Sequence, residues 1–263
     1  MINLETLTEL IRQRTEEEEK ALNPADVARL WKQALVSCLP LNGGVDTGWL
    51  KDAVSPSHLL PADIVPGAKS VVCYFIPFRE QVAQSNTEGQ EASELWALAY
   101  VKTNELIALI NEALESRFLE EGFRSGKIPA THNFDEEKLI SAWSHRHLAF
   151  LAGLGSFGMN NMLITKRGCC GRFGSLVTDW EYPLPVPAAA GEYCLAKRKP
   201  GSCGLCLKRC PAGAYDGGRF DRRACYGLCL KNAEKHKALG YADVCGKCLT
   251  GLPCSFSAPA LRR

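Results

Sequence analysis

The 263-residue sequence lacks the features that mark a secreted, membrane-spanning or strongly charged protein. Its first residues contain no basic segment leading into an apolar stretch, and no apolar run approaches the roughly 18 residues that a spanning helix needs. The formal net charge is only +2, which provides no strong electrostatic footprint for nucleic acid or an anionic membrane. We therefore expect a cytoplasmic protein without a membrane partner. A nucleic-acid partner is not expected either, although the balanced total charge does not exclude an RNA substrate.

Cysteine, in contrast, is abundant, and its number is odd: nine of the thirteen cysteines lie from Cys194 onward. In a reducing cytoplasm, paired cysteines are more often metal-binding or catalytic than disulfide-bonded, and an odd count fits a closed disulfide framework poorly. Cys38 and Cys73 stand in apolar segments and are predicted to be small buried residues. Cys169 and Cys170 stand between glycines and are predicted to lie in a loop without a metal-binding role.

The spacing of the C-terminal cysteines is that of ligands. Two-cluster ferredoxins contain the pattern C-x2-C-x2-C-x3-C-P, in which the final cysteine ligates the other cluster. The run that begins at Cys203 reads C-x2-C-x3-C-P and so preserves the last three ligands of that pattern. Pro200 stands where the first ligand is expected, and Cys194 is the obvious replacement. With ligands crossed in this way we predict two [4Fe–4S] sites: Cys194, Cys203, Cys206 and Cys254 form the first, and Cys210, Cys245 and Cys248, with either Cys225 or Cys229, form the second.

Two other readings of the cysteines remain open. Paired CxxC motifs also suit tetrahedral zinc, although zinc ribbons usually lack a trailing Cys-Pro such as Cys210-Pro211. The Cys-Pro step favours iron–sulfur clusters over zinc. A disulfide framework is the least favoured of the three.

Hydrophobic periodicity predicts a chain of mixed helices and strands. Residues 182–191 are rich in proline and predict a linker, so residues 1–185 and 186–263 are expected to form two domains. One helix is expected to begin near Leu4, and three others to span about 23–40, 91–121 and 135–153. The expected strands are 70–76, 162–165 and 175–178, of which the first should be central and buried. Residues 40–66 are expected to be irregular.

Two further segments carry a family resemblance. Residues 66–71 read Pro-Gly-Ala-Lys-Ser-Val, and residues 152–160 form the turn Ala-Gly-Leu-Gly-x-x-Gly-x-Asn before an apolar strand. Together with the cysteine module, they resemble the epoxyqueuosine reductase family, the cobalamin-dependent iron–sulfur enzymes of tRNA modification, and more distantly the reductive dehalogenases. The resemblance implies an α/β (α+β) nitroreductase-like sandwich domain that binds a corrinoid, residues 1–185, followed by a two-cluster ferredoxin-like domain, residues 186–263.

The resemblance also implies site residues. The family's D-x-x-x-C element matches Asp221 to Cys225, which favours Cys225 over Cys229 as the ligand. The family's general-acid position falls at Leu139, so His145 and His147 become the candidates to donate a proton or approach the cobalt. In the alternative, His147 packs in an apolar row and His145 is a capping or surface group. The expected corrinoid contacts are Gly153, Leu154, Gly155, Phe157, Gly158, Asn160 and Asn161.

These expectations define two functions and a third, less favoured one. The first is an oxidoreductase that passes electrons from two [4Fe–4S] clusters to a bound corrinoid (cobalamin), which reduces a small-molecule substrate. The second is an iron–sulfur electron carrier or an activator of a corrinoid protein, without a substrate of its own. Both would need an electron donor such as a ferredoxin or flavodoxin. The third is a zinc-binding module.

Overall fold

The computed structural model describes residues 1–22, 29–42, 44–129, 134–135, 137–185, 190–216 and 218–259. Its helices are α1 (Leu4–Ala21), α2 (Trp49–Ala53), α3 (Pro61–Ile64), α4 (Glu80–Ser85), α5 (Glu94–Glu120), α6 (His145–Leu151), α7 (Leu195–Arg198), α8 (Leu205–Lys208) and α9 (Arg222–Lys235), with a 3-10 turn at Lys237–Leu239. Its strands are β1 (Leu35–Pro40), β2 (Ser70–Pro77), β3 (Ser125–Lys127), β4 (Phe134–Asp135), β5 (Ile140–Ser141), β6 (Gly155–Phe157), β7 (Leu163–Thr165), β8 (Gly171–Thr178), β9 (Tyr215–Asp216) and β10 (Arg219–Phe220).

The main sheet has four antiparallel strands in the order β1-β2-β8-β3. Strand β2 is central, and all eight of its residues are buried, which confirms the prediction for residues 70–76. Its register places Ser70 opposite both Pro40 and Thr178. Such a strand reads as a continuous apolar run because both of its faces are covered.

Each face of this sheet has its own core. Since side chains alternate along a strand, Val72, Tyr74 and Ile76 join a cluster that includes buried residues of α1 and α5. Val71 and Cys73 point the other way and join a second cluster that includes buried residues of α6. The predicted burial of Cys38 and Cys73 is confirmed, because neither is exposed to solvent.

The long helix α5 confirms the prediction for residues 91–121. Ser93 caps its start by accepting a hydrogen bond from the Trp96 backbone N–H (3.2 Å). Gly122 follows its end with a positive φ of 83°, the left-handed conformation that glycine adopts without a steric penalty. The predicted helix from Leu4 is α1, and the predicted strands 162–165 and 175–178 correspond to β7 and the end of β8.

The helix predicted for residues 23–40 is wrong in its C-terminal part. Residues 23–28 lie outside the described residues, but Leu35–Pro40 is strand β1, paired with β2 along its whole length. Leu30, Trp31 and Ala34 have helical spacing, yet Val36 and Cys38 complete a strand whose partner is far away in sequence. Sheet pairing and burial therefore override the local pattern.

Two other predictions need correction. The helix expected over residues 135–153 is limited to α6, and Phe134–Asp135 and Ile140–Ser141 instead pair as the short antiparallel strands β4 and β5. Asp135 closes the turn between them by accepting hydrogen bonds from the backbone N–H groups of Glu137 and Lys138 (both 2.9 Å), so it does not cap a helix; Glu136 lies outside the described residues. The segment expected to be irregular, 40–66, contains the short helices α2 and α3.

The cysteine-rich segment packs closely against the rest of the chain. Tyr193, Cys194 and Leu249 belong to the same core cluster as α1 and α5. The predicted linker lies partly outside the described residues, at 186–189, and the division into two domains stays a prediction. Among the described residues, no helix is both long and apolar enough to cross a membrane.

Candidate functional site

The first predicted cysteine set surrounds one small cavity of about 20 Å³. Burial, together with the smaller effect of the neighbouring thiols of Cys254, Cys194 and Cys203, raises the pKa of Cys206 to about 11. The four side chains thus lie within electrostatic range of one another although Cys194 and Cys254 are sixty residues apart in sequence. Their grouping is the one that the crossed ferredoxin pattern predicts.

Local hydrogen bonds fix Cys194, the irregular member of this set. Its backbone N–H donates to the Glu192 carboxylate (2.8 Å), and the same carboxylate accepts a hydrogen bond from Ser156 in β6 (3.2 Å). Ser156 in turn accepts from the backbone of Tyr193 (2.8 Å). The residues before Cys194 are therefore tied to the β6–β7 hairpin, which holds the thiol beside the Cys203–Cys206 loop.

The second predicted set borders a larger cavity of about 370 Å³. Burial raises the pKa of Cys248 to about 12, with further contributions from the thiols of Cys245, Cys225 and Cys210. All four, together with Cys229, line this cavity. Within the described parts of the chain, no group of three or more His, Cys, Asp or Glu side chains is positioned to hold a metal ion.

Cys225 and Cys229 lie one turn apart on α9 and face each other. The Asp221 side chain caps this helix by accepting a hydrogen bond from the Ala224 backbone N–H (3.0 Å), so the D-x-x-x-C element has a structural role. A hydrogen bond from the Cys229 thiol lowers the pKa of Cys225 and raises that of Cys229. Both thiols line the large cavity together with Cys245 and Cys248, and Cys245 also contributes to the raised pKa of Cys229. The choice between Cys225 and Cys229 as the fourth member of the set therefore stays a prediction.

The second CxxC loop is held against the large part of the chain by a buried lysine. Lys247 is 2% exposed and donates to the backbone carbonyls of Asn86 (3.1 Å) and Glu88. The Asn86 side chain donates to the carbonyl of Cys245 (2.9 Å). Burial lowers the pKa of Lys247, but the carbonyl oxygens solvate its ammonium group. These contacts fix the loop relative to α4 and α5.

His145 lies on the wall of the large cavity and is buried, so the surface alternative for it is wrong. Its Nε2 faces the carbonyl of Pro129 (3.3 Å), and its Nδ1 faces the Ser175 hydroxyl (2.8 Å). Since a carbonyl can only accept, Nε2 carries the proton and Ser175 donates to Nδ1. Burial lowers the pKa of His145 to about 4, so its imidazole is neutral at neutral pH.

His147 does not line either cavity described above. Its ring packs against Phe157 (4.6 Å between centroids) and Trp49 (5.7 Å), and its Nδ1 is hydrogen-bonded to Ser144 (2.7 Å). Burial lowers its pKa to about 4. These contacts match the alternative in which His147 packs in an apolar row.

The predicted corrinoid turn is separated from the large cavity. Of its residues, Gly158 and Asn160 border the small cavity, and Gly153, Leu154, Gly155, Phe157 and Asn161 border neither. A Cβ on Gly155 would lie 2.1 Å from the Ile164 carbonyl oxygen, so the close approach of β7 already requires glycine there. The Asn160 side chain donates to the carbonyl of Cys248 (2.6 Å), which joins the turn to the second cysteine set. Corrinoid contact by these residues stays a prediction.

The position of the family's general acid is also removed from the cavity. Leu139 has a φ of +53° in the β4–β5 turn, and it does not line the cavity, whereas Phe134 and Ser141 of the same hairpin do. A positive φ is uncommon for a residue other than glycine.

Sequence reasoning missed several cavity residues because they come from separate elements. Arg146 stands between the two predicted histidines; its guanidinium donates to the carbonyl of Asn161 (2.7 Å). The Arg172 guanidinium lies 4.2 Å from the centre of the Tyr100 ring, whose hydroxyl donates to Asp243 (2.6 Å). The cavity therefore combines aromatic walls with two guanidinium groups, a set that no local motif marks.

The fold is that of two groups of solved enzymes. Epoxyqueuosine reductase from Bacillus subtilis aligns with 96% of this chain and 66% of its own, at 17% identity and a TM-score of 0.53. The enzyme from Streptococcus thermophilus aligns with 93% of this chain and 66% of its own, at 17% identity and a TM-score of 0.51. A catabolic reductive dehalogenase aligns with 85% of this chain and 30% of its own, at 15% identity and a TM-score of 0.57.

These alignments confirm, at the level of fold, the relation expected from the sequence. The chain has a mixed α/β architecture like that of epoxyqueuosine reductase, and it spans just under two thirds of the length of those reductases. No family model matches the chain. No curated protein matches it significantly either.

Proposed function

We propose that this chain is an iron–sulfur oxidoreductase that passes electrons from two [4Fe–4S] clusters to a corrinoid at the large cavity, for the reduction of a small substrate. The observation that carries the proposal is the separation of the cysteines into two sets around two cavities, in the crossed order typical of two-cluster ferredoxins. The similar fold of epoxyqueuosine reductases and of a B12-dependent reductive dehalogenase supports it. In this proposal the two parts of the chain are a nitroreductase-like sandwich and a ferredoxin-like domain.

Both sets consist of four thiols, which is the donor set of a [4Fe–4S] cluster. Each iron of such a cluster takes one protein thiolate, so the cluster does not require three side chains around a single metal ion, an arrangement that the described residues lack. Cys194, Cys203, Cys206 and Cys254 would hold the first cluster, and Cys210, Cys225, Cys245 and Cys248 the second. When bound, the clusters supply one-electron transfer. The protein's own contribution is to hold the second set at the cavity wall through Lys247 and Asn160. A ferredoxin or flavodoxin is the proposed electron donor.

The fit for a corrinoid is limited to the cavity beside the second set. Its volume of about 370 Å³ is at the lower end of the range for ligand cavities, about 300–1,000 Å³. Aromatic side chains such as Trp143 and Phe173 line it, which suits a planar macrocycle. A whole cobalamin, with its nucleotide tail, would extend beyond these walls, so we derive no reaction step through it.

The electron carrier is the second candidate, and two observations favour it. The cavity volume is small, and the close β6–β7 approach accounts for Gly155 without a ligand. In this function the electrons would leave for a partner, such as a corrinoid protein, instead of reducing a substrate bound by this chain.

Metal and cofactor analysis of anaerobically purified protein tests the proposal. We expect about eight irons per chain, falling to about four in Cys206→Ala and in Cys248→Ala. Cys229→Ala is the matched control and should keep all the iron, whereas Cys225→Ala should lose the second cluster. Zinc without iron would overturn both functions. A change in the absorption bands of added cobalamin supports the reductase, and the absence of any change supports the carrier.

A further inference from the structure

Trp96 has a buried indole N–H without a hydrogen-bond partner among the described residues. The side chain is 2% exposed and lines the large cavity. Two other buried tryptophans are satisfied: Trp31 donates to Thr103 (2.7 Å) and Trp143 donates to Ser175 (3.1 Å). Leaving a buried donor unpaired is energetically costly, so Trp96 requires an explanation that the described residues do not provide.

The indole of Trp96 lies directly against the second CxxC loop. A Cβ on Gly246, between Cys245 and Lys247, would lie 2.4 Å from Trp96 Nε1 and 2.3 Å from Cε2. The φ of Gly246 is +73°, which also favours glycine. Only a residue without a side chain therefore allows the indole nitrogen this close to the loop.

The ring is held in this position from two directions. Trp96 is in the first turn of α5, where the Ser93 cap fixes its backbone. Phe78 packs edge-to-face on the ring, with centroids 5.2 Å apart and planes at 85°. The donor thus has a fixed place beside the loop that carries Cys245 and Cys248.

We propose that the Trp96 indole N–H donates a hydrogen bond to a sulfur of the cluster held by the second cysteine set and so raises its reduction potential. The inference rests on the proposed function, since it requires a cluster at that set. Hydrogen bonds to the sulfurs are one of the factors that set the potential of such clusters. The reduced cluster carries more negative charge than the oxidised one, so a donor stabilises the reduced form more.

Redox titration of Trp96→Phe, followed by electron paramagnetic resonance, tests the inference. We expect one of the two clusters to become about tenfold harder to reduce, which corresponds to about 59 mV for one electron, while the other keeps its potential. Trp180→Phe is the matched control. Trp180 is also buried, packs on Phe118 and Tyr182, and lines neither cavity, so both potentials should remain unchanged.

A measurement on the unaltered protein does not depend on how the variant folds. With tryptophan labelled by ¹⁵N in the indole, the reduced second cluster should show a nitrogen coupling and an exchangeable-proton coupling. Absence of both couplings, or an unchanged potential in Trp96→Phe that retains both clusters, overturns the inference and leaves the proposed function intact. A protein that binds no iron overturns the proposed function itself.

Discussion

Acid should destabilise this protein through His145. The imidazole is neutral in the folded chain because its pKa is lowered to about 4, chiefly by burial and also by the nearby guanidinium of Arg172. An unfolded chain holds the same group at its ordinary pKa of about 6.5. Between these two values the unfolded state binds a proton that the folded state does not, so the stability is fully present above about pH 6.5 and is lost as the pH falls toward 4.

The size of the effect follows from the difference between the two pKa values. A shift of one unit corresponds to about 1.36 kcal/mol, so the fall from 6.5 to about 4 corresponds to about 3 kcal/mol, of which about 2 kcal/mol is lost between pH 7 and pH 5. This is a large fraction of the 5–15 kcal/mol that typically separates folded and unfolded states. Burial also lowers the pKa of His58 and His147, which adds to the loss in the unaltered protein.

Urea unfolding, monitored by tryptophan fluorescence over this pH range, isolates the share of His145. The variant His145→Asn removes the titrating group and should lose less stability between pH 7 and pH 5 than the unaltered protein, by about 2 kcal/mol. Leu148→Ala is the matched control on the same helix: it should lose stability by about 2–5 kcal/mol at every pH and keep the original pH dependence. An equal pH dependence in His145→Asn and the unaltered protein would refute the reasoning.

Two other substitutions test how the site is held in place. Lys247→Met removes the ammonium that binds the Asn86 and Glu88 carbonyls, so the free energy of unfolding should fall by about 2 kcal/mol and iron analysis should show weaker binding at the second site. The control Lys235→Met, at an exposed position, should lower the free energy of unfolding by less than about 1 kcal/mol. Gly155→Ala forces a Cβ against the Ile164 carbonyl and should lower the free energy of unfolding by about 1–3 kcal/mol. A Cβ added at Gly191 meets no atom within 4 Å, so Gly191→Ala should leave stability unchanged. Unchanged stability in Gly155→Ala would mean that the hairpin does not require glycine.

The sequence predicts the elements whose patterns are local. Strand β2 is recognisable from residues 70–76 because an apolar run bounded by Pro-Gly and Pro has few alternatives. Strand β1 is not, because Trp31, Ala34 and Leu35 also satisfy a helical repeat, and only its pairing with Phe75 and its neighbours decides between them. The β4–β5 hairpin escapes prediction for a similar reason, since Asp135 can cap a helix or close a turn.

The candidate site shows the same division between local and distant information. Cysteine spacing anticipates both sets, because each CxxC loop fixes its own thiols and the crossed pattern adds the rest. The cavity wall cannot be anticipated this way: Trp96, Arg146 and Arg172 are far apart in sequence, and packing around the sheet brings them together. The signal that could have identified Trp96 is Gly246, since a glycine inside a CxxC loop allows a bulky neighbour to approach.

The same desolvation that makes His145 sensitive to acid restricts the chemistry it can perform. An imidazole with a pKa of about 4 is not protonated to imidazolium at neutral pH, and its Nε2–H is directed at the Pro129 carbonyl. A proton delivered at the cavity would therefore have to come from another group or from water, unless a bound ligand changes the environment of His145. If His145 does act as an imidazolium acid, turnover should rise as the pH falls toward 4, in the range where the protein itself loses stability. If turnover instead follows the stability curve, His145 has a structural role, and the proton must come from another group or from water.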